Sequence, residues 1–335
     1  RLPGKPLIKI KGLSIISHVF KKAEEANIGE VFVAAEDQEI VDDVKQNGGQ
    51  AILTKETHKT GTDRIYEALN IMGKSDIELV MNIQGDEPLI NIARYLPIRA
   101  KESPNSKAII LPTSTKTEGR RNYISLTFQQ LEWESNRLAI GLQKTGLKKG
   151  SKVLLMVPPG LDFVALSFAL FKLGVVPVLI DPGMGKENLL NCIEAVKPEA
   201  MIAIPKAHLA RLMFKKRFHS IKILITVGTR LWGGYSLSEI RSMADELQPT
   251  REKQFEFVHT KGSDTAAIVF TTGSTGPPKG VVYFHSQMEG QVESIKQEFN
   301  ISSDDVDFPI FPLFVLFSTA WGIPAVLPNM DPTKP

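Results

Sequence analysis

The chain has 335 residues, enough for two domains or more, and its 42% hydrophobic and 23% charged content is that of a soluble globular protein. A net charge of +3 gives no ground for a nucleic-acid-binding function, and a single cysteine, Cys192, excludes an intrachain disulfide. From the N-terminus, helix and strand patterns alternate. The sequence predicts a helix over 14–26, a strand over 31–35, and a short helix through Ile40, Val41 and Val44 that stops at Asn47-Gly48-Gly49. A strand over 51–54 follows, then a helix with the apolar stripe Ile65, Leu69 and Met72, then a strand over 79–83 running into Gln84-Gly85-Asp86-Glu87-Pro88. Strands alternating with helices imply a parallel sheet.

Residues 91–115 read as a helix and a strand that open a second unit. Thr127-x-x-Gln130 has the spacing of a capping box, and Gly146 is placed to stop the helix behind it. Strand 153–157, helix 161–172, strand 175–180, helix 187–196 and strands 201–204 and 223–227 continue the alternation. Cys192 falls in that last helix and reads as core, while Lys215-Lys216-Arg217 reads as a solvated face. A second capping-box pattern stands at Ser236-x-x-Glu239, and strand 266–270 follows. The apolar run 308–327 raises a membrane question, but Pro309, Pro312 and Pro324 argue against a spanning helix. It reads as a buried segment, either ordinary core or the wall of an acyl tunnel, since one composition serves both. There is no internal repeat and no low-complexity linker.

The most specific feature is the run Thr271-Thr272-Gly273-Ser274-Thr275-Gly276-Pro277-Pro278-Lys279-Gly280, directly behind an apolar strand. Glycines let backbone N–H groups approach oxyanions, hydroxyls add donors, and a lysine supplies a point charge. This is how a polyphosphate cradle is built; the plain alternative is a Gly/Pro-rich surface loop. Lys279 is followed by Gly280, so the run is not a Walker A loop.

The run resembles the signature phosphate loop of the acyl-adenylate-forming enzymes. Further similarity lies in Leu126-Thr127-Phe128-x-x-Leu131, Phe168-Ala169-x-x-Lys172-x-Gly174, 179–185, 204–209, Phe311-Pro312-Leu313-Phe314 and Met330-Asp331-Pro332-Thr333, which are similar to the fatty-acid CoA ligase and olefin β-lactone synthetase branch. The resemblance implies ATP with Mg²⁺, a fatty or β-hydroxy carboxylic acid, and either CoA or an intramolecular hydroxyl as acyl acceptor. It assigns Thr271, Thr272, Gly273, Ser274, Thr275, Gly276, Lys279 and Gly280 to ATP phosphate binding. His285 follows strand 281–284, where a substrate-side and a surface structural role are equally open.

Residues 1–90 resemble a different family, the sugar-acid cytidylyltransferases typified by CMP-Kdo synthetase (3-deoxy-manno-octulosonate cytidylyltransferase). The similarity rests on Arg1-Leu2-Pro3-Gly4-Lys5-Pro6-Leu7, Thr60-Gly61-Thr62-Asp63-Arg64 and Asn82-Ile83-Gln84-Gly85-Asp86-Glu87-Pro88. It implies CTP and Kdo as substrates, with Arg1, Lys5, Arg64 and Gln84 as nucleotide or sugar contacts and Asp86 as a Mg²⁺ ligand. Thr60 stands where that family commonly has serine.

The expected fold is α/β: a partial nucleotidyltransferase (Rossmann-like) sheet over 1–90, followed by a partial adenylate-forming N-terminal domain over 91–335. The switch falls near Ile90-Asn91, and neither half shows the complete motif set of its family, so a truncated chimera is expected rather than a bifunctional fusion. The catalytic lysine of the adenylating lid is among the missing motifs. The leading function is ATP-dependent activation of a long-chain fatty or β-hydroxy acid as an acyl-adenylate, impaired by truncation. Its rivals are CMP-Kdo synthesis by the first portion and an inactive fragment with weak nucleotide binding. The chain opens on Arg-Leu-Pro-Gly-Lys-Pro with no signal-peptide pattern, so a cytoplasmic location without a transmembrane segment is expected.

Overall fold

The computed structural model describes residues 5–10, 12–25, 29–58, 61–73, 77, 80, 91–117, 120–247, 255–271 and 278–328, in two compact units, Arg1–Ile90 and Asn91–Pro335. In the first, the two-residue strands β1 (Lys9–Ile10) and β2 (Leu13–Ser14) pair antiparallel and lead into α1 (Ile15–Glu25). Then come β3 (Val33–Ala35), α2 (Gln38–Gln46), β4 (Ala51–Leu53) and α3 (Gly61–Met72). β3 and β4 run parallel, Val33 opposite Ala51, as the alternation of elements requires. Asp37 caps α2 by accepting the Glu39 N–H at 2.9 Å, and Gly48 turns the chain with φ 85° behind it. Ile16 and Phe20 of α1 pack on Val44 of α2, with Val33 and Ala51 of the strands beside them. The strand expected over 79–83 lies largely outside the described residues.

The second unit opens with α4 (Tyr95–Glu102) and an antiparallel pair, β5 (Lys107–Thr117) and β6 (Arg120–Thr127). Helix α5 (Phe128–Lys144) begins at a complete capping box: Thr127 Oγ1 accepts the Gln130 N–H at 3.2 Å, and Gln130 Oε1 accepts the Thr127 N–H at 2.9 Å. The chain continues through β7 (Lys152–Met156), α6 (Leu161–Lys172), β8 (Val176–Ile180), α7 (Lys186–Val196), β9 (Ala200–Ala203), α8 (Pro205–Met213), β10 (Ile223–Thr226) and β11 (Tyr235–Ser236). Helix α9 (Leu237–Leu247), the strands β12 (Thr265–Thr271) and β13 (Lys279–Phe284), α10 (His285–Glu298), α11 (Val315–Trp321) and β14 (Ala325–Val326) complete it. A seven-stranded sheet has the order β11-β10-β9-β7-β8-β12-β13, parallel throughout except for the β12/β13 hairpin.

Both faces of this sheet are covered, so its central strands read as continuous apolar runs; every residue of β8 and β9 is buried. The two-residue period of a strand sorts the side chains. Val153 and Leu155 of β7 join α5 and α6 on one side, while Leu154 joins α7, including Cys192, on the other. α5 and α9 approach so closely that a Cβ on Gly141 would lie 2.0 Å from the Ile240 carbonyl oxygen. Gly141→Ala is therefore expected to force the two helices apart and lower stability by about 1–3 kcal/mol, read as a fall in thermal midpoint.

The apolar run 308–327 is no single helix. Only α11 is helical there besides a short 3-10 turn, and Gly322 (φ 80°) ends it while Arg99 Nη2 donates to Ala320 O at 2.7 Å. Residues 315–320 are buried, whereas Phe308, Ile310 and Phe314 face solvent, so core and exposed apolar surface divide the run. No helix among the described residues is long and apolar enough to cross a membrane.

Candidate functional site

β12 is anchored by Ala266, Ala267, Ile268 and Val269, all buried, and pairs with β8 so that Phe270 stands opposite Ile180. Its last residue, Thr271, is exposed and emerges at the carboxyl edge of the parallel strands, where α/β sheets bind their ligands. The chain returns as β13, with Lys279 opposite Thr271 and Gly280 opposite Phe270. The described ends of the glycine-rich run thus pair at the base of the β12/β13 hairpin. Thr271 and Lys279 frame its base; Thr272, Gly273, Ser274, Thr275 and Gly276 lie outside the described residues. Lys279 is exposed, and among the described residues no carboxylate pairs with it. Gly280 has a packing reason as well: a Cβ there would meet the Phe270 ring at 3.1 Å.

β13 feeds directly into α10, whose first residue is His285. Its ring is buried, 3% exposed, with its centroid 5.9 Å from that of Phe171 in an edge-on arrangement. This corrects the surface placement that the sequence left open. Nδ1 has no hydrogen-bond partner, and burial holds the imidazole down to about 4, against only partial compensation by Asp264. Asp264 accepts Lys149 Nζ at 2.7 Å and the Lys261 N–H at 2.7 Å; burial pushes its carboxyl up, but these contacts outweigh it and the net direction is down. The backbone carbonyls of Asp264 and Gly262 accept the N–H groups of His285 and Ser286 at 3.2 and 3.0 Å, fixing the start of α10.

Because the folded pKa of His285 lies below the ordinary value of 6.5, the unfolded chain takes up more protons between about pH 6.5 and 4. Its contribution to stability is present above that window and is lost as pH falls through it. Acid titration followed by tryptophan fluorescence is expected to show this loss, and His285→Phe, which keeps a ring on Phe171, is expected to flatten it.

The end of α6 is tied to Asn91 and to the segment ahead of β12, contacts the sequence did not reveal. Asn91 Nδ2 donates to Phe171 O at 2.8 Å, and the Val258 N–H donates to Lys172 O at 3.0 Å. Lys172 itself is wholly buried. Its ammonium donates to Glu132 Oε2 (2.6 Å), Ser135 Oγ (2.8 Å) and Asn136 Oδ1 (2.6 Å) of α5, which uses all three protons. Phe257 covers it at 5.5 Å, and desolvation lowers its pKa to about 8 despite Glu132.

In the first unit, Arg64 on α3 forms an ion pair with Glu36, so its guanidinium is engaged within the fold. Lys5 lies in a short 3-10 turn, Lys5–Leu7; Arg1, Gln84 and Asp86 lie outside the described residues. Among the described residues no group of three metal-ligating side chains is assembled.

The hairpin at the carboxyl edge of a doubly wound sheet agrees with the family comparison: the model described as "AMP-binding enzyme" matches residues 96–329. The chain belongs to the AMP-binding enzyme family. The model described as "Cytidylyltransferase" matches residues 1–111, so the two matches overlap at 96–111. The AMP-binding portion is 42% identical over 248 residues to an olefin β-lactone synthetase of Stenotrophomonas maltophilia, covering 73% of this chain and 44% of that protein. The N-terminal portion is 50% identical over 91 residues to a 3-deoxy-manno-octulosonate cytidylyltransferase of a Bradyrhizobium species, covering 27% of this chain and 37% of that one. A long-chain-fatty-acid-CoA ligase from Archaeoglobus fulgidus shares the fold with a TM-score of 0.61 at 20% identity, over 76% of this chain and 50% of that structure. The chain spans under half the length of these curated relatives.

Proposed function

We propose that this AMP-binding enzyme activates a long-chain fatty or β-hydroxy carboxylic acid as its acyl-adenylate. A carboxylate oxygen attacks the α-phosphorus of ATP, the bond to the β-phosphate bridging oxygen breaks, and pyrophosphate carries away the displaced electron pair. Little covalent work falls to the protein, because the barrier is dominated by charge gathering on phosphoryl oxygens. Thr271, Thr272, Ser274, Thr275 and Lys279 are assigned to the β- and γ-phosphates, and Gly273, Gly276 and Gly280 to close backbone approach. Bound Mg²⁺ supplies further neutralisation of the phosphate charge. The buried, neutral His285, packed edge-on against Phe171, anchors the end of β13. The reading is carried by one observation: a hydroxyl- and glycine-rich run, closed by Lys279, which pairs with no carboxylate among the described residues, in a segment 42% identical to an olefin β-lactone synthetase.

The 50% identity of the N-terminal portion to a 3-deoxy-manno-octulosonate cytidylyltransferase supports a second reading, CMP-Kdo formation from CTP and Kdo, with Arg1, Lys5, Gln84 and Asp86 at its site. Arg64, engaged with Glu36, fits that role less well. Mass spectrometry of reaction mixtures separates the two. Acyl-AMP in the mixture of ATP and fatty acid supports the first reading; CMP-Kdo in the mixture of CTP and Kdo, without acyl-AMP, replaces it with the second. Neither product identifies a chain that only binds nucleotide.

A further inference from the structure

Charge is distributed unevenly along this nearly neutral chain. Between Glu199 and Glu239 there is no acidic residue, while Lys206, Arg211, Lys215, Lys216, Arg217, Lys222 and Arg230 all fall there. With a net charge of +3 for the whole chain, the remainder is net negative, so this block is the basic pole of the sequence. Lys206 and Arg211 stand on α8, Lys215, Lys216 and Arg217 on the 3-10 turn Lys215–Phe218 behind it, and Lys222 and Arg230 on either side of β10. Two of its arginines are neutralised, Arg217 by Glu194 and Arg230 by Glu239. Among the described residues no ion pair engages Lys206, Lys215, Lys216 or Lys222, and all four are exposed.

The same surface is apolar where a merely solvated face would be polar. On α8, Lys206, Leu209 and Met213 recur at i, i+3 and i+7, which is one side of a helix. Leu209 is 55% exposed and Met213 71%. The opposite side is fixed inward: His208 is fully buried, with Nε2 3.0 Å from Ile225 O and its ring 5.1 Å from that of Trp232. That stacking also ties the loop carrying Leu231, 78% exposed, to the helix. Pro205 at the first helical turn and the absence of an acidic side chain there leave the helix start with nothing to offset the lysines.

We propose that α8 and the turn behind it form a docking surface for an anionic lipid bilayer. Lys206, Lys215 and Lys216 meet lipid phosphates, and Leu209 and Met213 enter the boundary between headgroups and acyl chains. Charge complementarity alone would equally admit a nucleic acid or an acidic protein; the exposed leucine and methionine between the lysines select the lipid surface, because burying them there returns apolar area to an apolar medium. The proposal stands independently of the adenylating reaction.

Cosedimentation of the full chain with vesicles tests it. Binding is expected to mixed phosphatidylglycerol–phosphatidylcholine vesicles, to weaken as salt rises, and to be absent with pure phosphatidylcholine. The variant K206Q/K215Q/K216Q is expected to lose on the order of a hundredfold in partitioning, from about tenfold or less per lysine. L209Q/M213Q is expected to lose at least tenfold while retaining the charge. Both variants alter only exposed side chains, and unchanged thermal midpoints verify folding. Equal binding to neutral vesicles, no binding to anionic ones, or binding indifferent to either variant overturns the proposal. So does binding to duplex DNA, RNA or an acidic polypeptide that matches vesicle binding and is unaffected by L209Q/M213Q.

Discussion

Replacing Lys172 with methionine is expected to destabilise the second unit by about 3–5 kcal/mol at neutral pH, since it leaves the Glu132 carboxylate without the cation it was buried against. Glu132 Oε2, Ser135 Oγ and Asn136 Oδ1 all lose their donor together. The double variant K172M/E132L is expected to recover much of the loss, because an apolar pair carries no desolvation cost. A pH signature distinguishes the buried amine from an ordinary packing residue. Its folded pKa is near 8 and its unfolded value near 10.5, so between these the unfolded chain holds more protons. Stability contributed at this site therefore rises with pH across that window, by about 3 kcal/mol at most, and the difference between wild type and K172M widens accordingly. Urea unfolding followed by tryptophan fluorescence measures it, and Trp133, Trp232 and Trp321 all lie in the second unit, so the first does not contribute. A difference independent of pH between 8 and 10.5 would show that the amine is not desolvated as the geometry indicates.

Lys279→Ala is expected to weaken ATP binding about tenfold to hundredfold, the span of one lost charge-assisted contact. The side chain is exposed at the base of the hairpin and not in an ion pair among the described residues, so its removal leaves nothing buried unpaired and the fold is expected to stay intact. Titration calorimetry with ATP and with pyrophosphate measures the loss. The two ligands are expected to weaken by similar factors, because the contact is assigned to the phosphates the two share. A loss for neither ligand would remove Lys279 from the site.

Much of the second unit could be read before any coordinates. Both capping boxes form as their spacing foretold, the second with Ser236 N–H donating to Glu239 Oε2 at 2.6 Å and Glu239 N–H to Ser236 Oγ at 3.2 Å. The buried parallel strands were visible because both their faces are apolar, so length and flanking glycines identify them. The strand read within 91–115 is β5, but its partner β6 was hidden for the opposite reason, being polar and largely exposed. α10 escaped because it is weakly amphipathic and carries Gly290 in its interior. At the candidate site, the glycine- and hydroxyl-rich run stood out by composition alone, yet Lys172 appeared only as a member of a motif. Its partners sit thirty-six to forty residues upstream on another helix, and no local pattern links them. His285 was ambiguous on the same ground, since only the fold brings Phe171 to its ring.

ATP–pyrophosphate exchange, measured on the full chain with and without long-chain fatty and β-hydroxy acids, tests the assignment most directly. The expected result is exchange that requires the acid and falls away in Lys279→Ala. Tight ATP binding with no acid-dependent exchange, or exchange with CTP and Kdo alone, would contradict it.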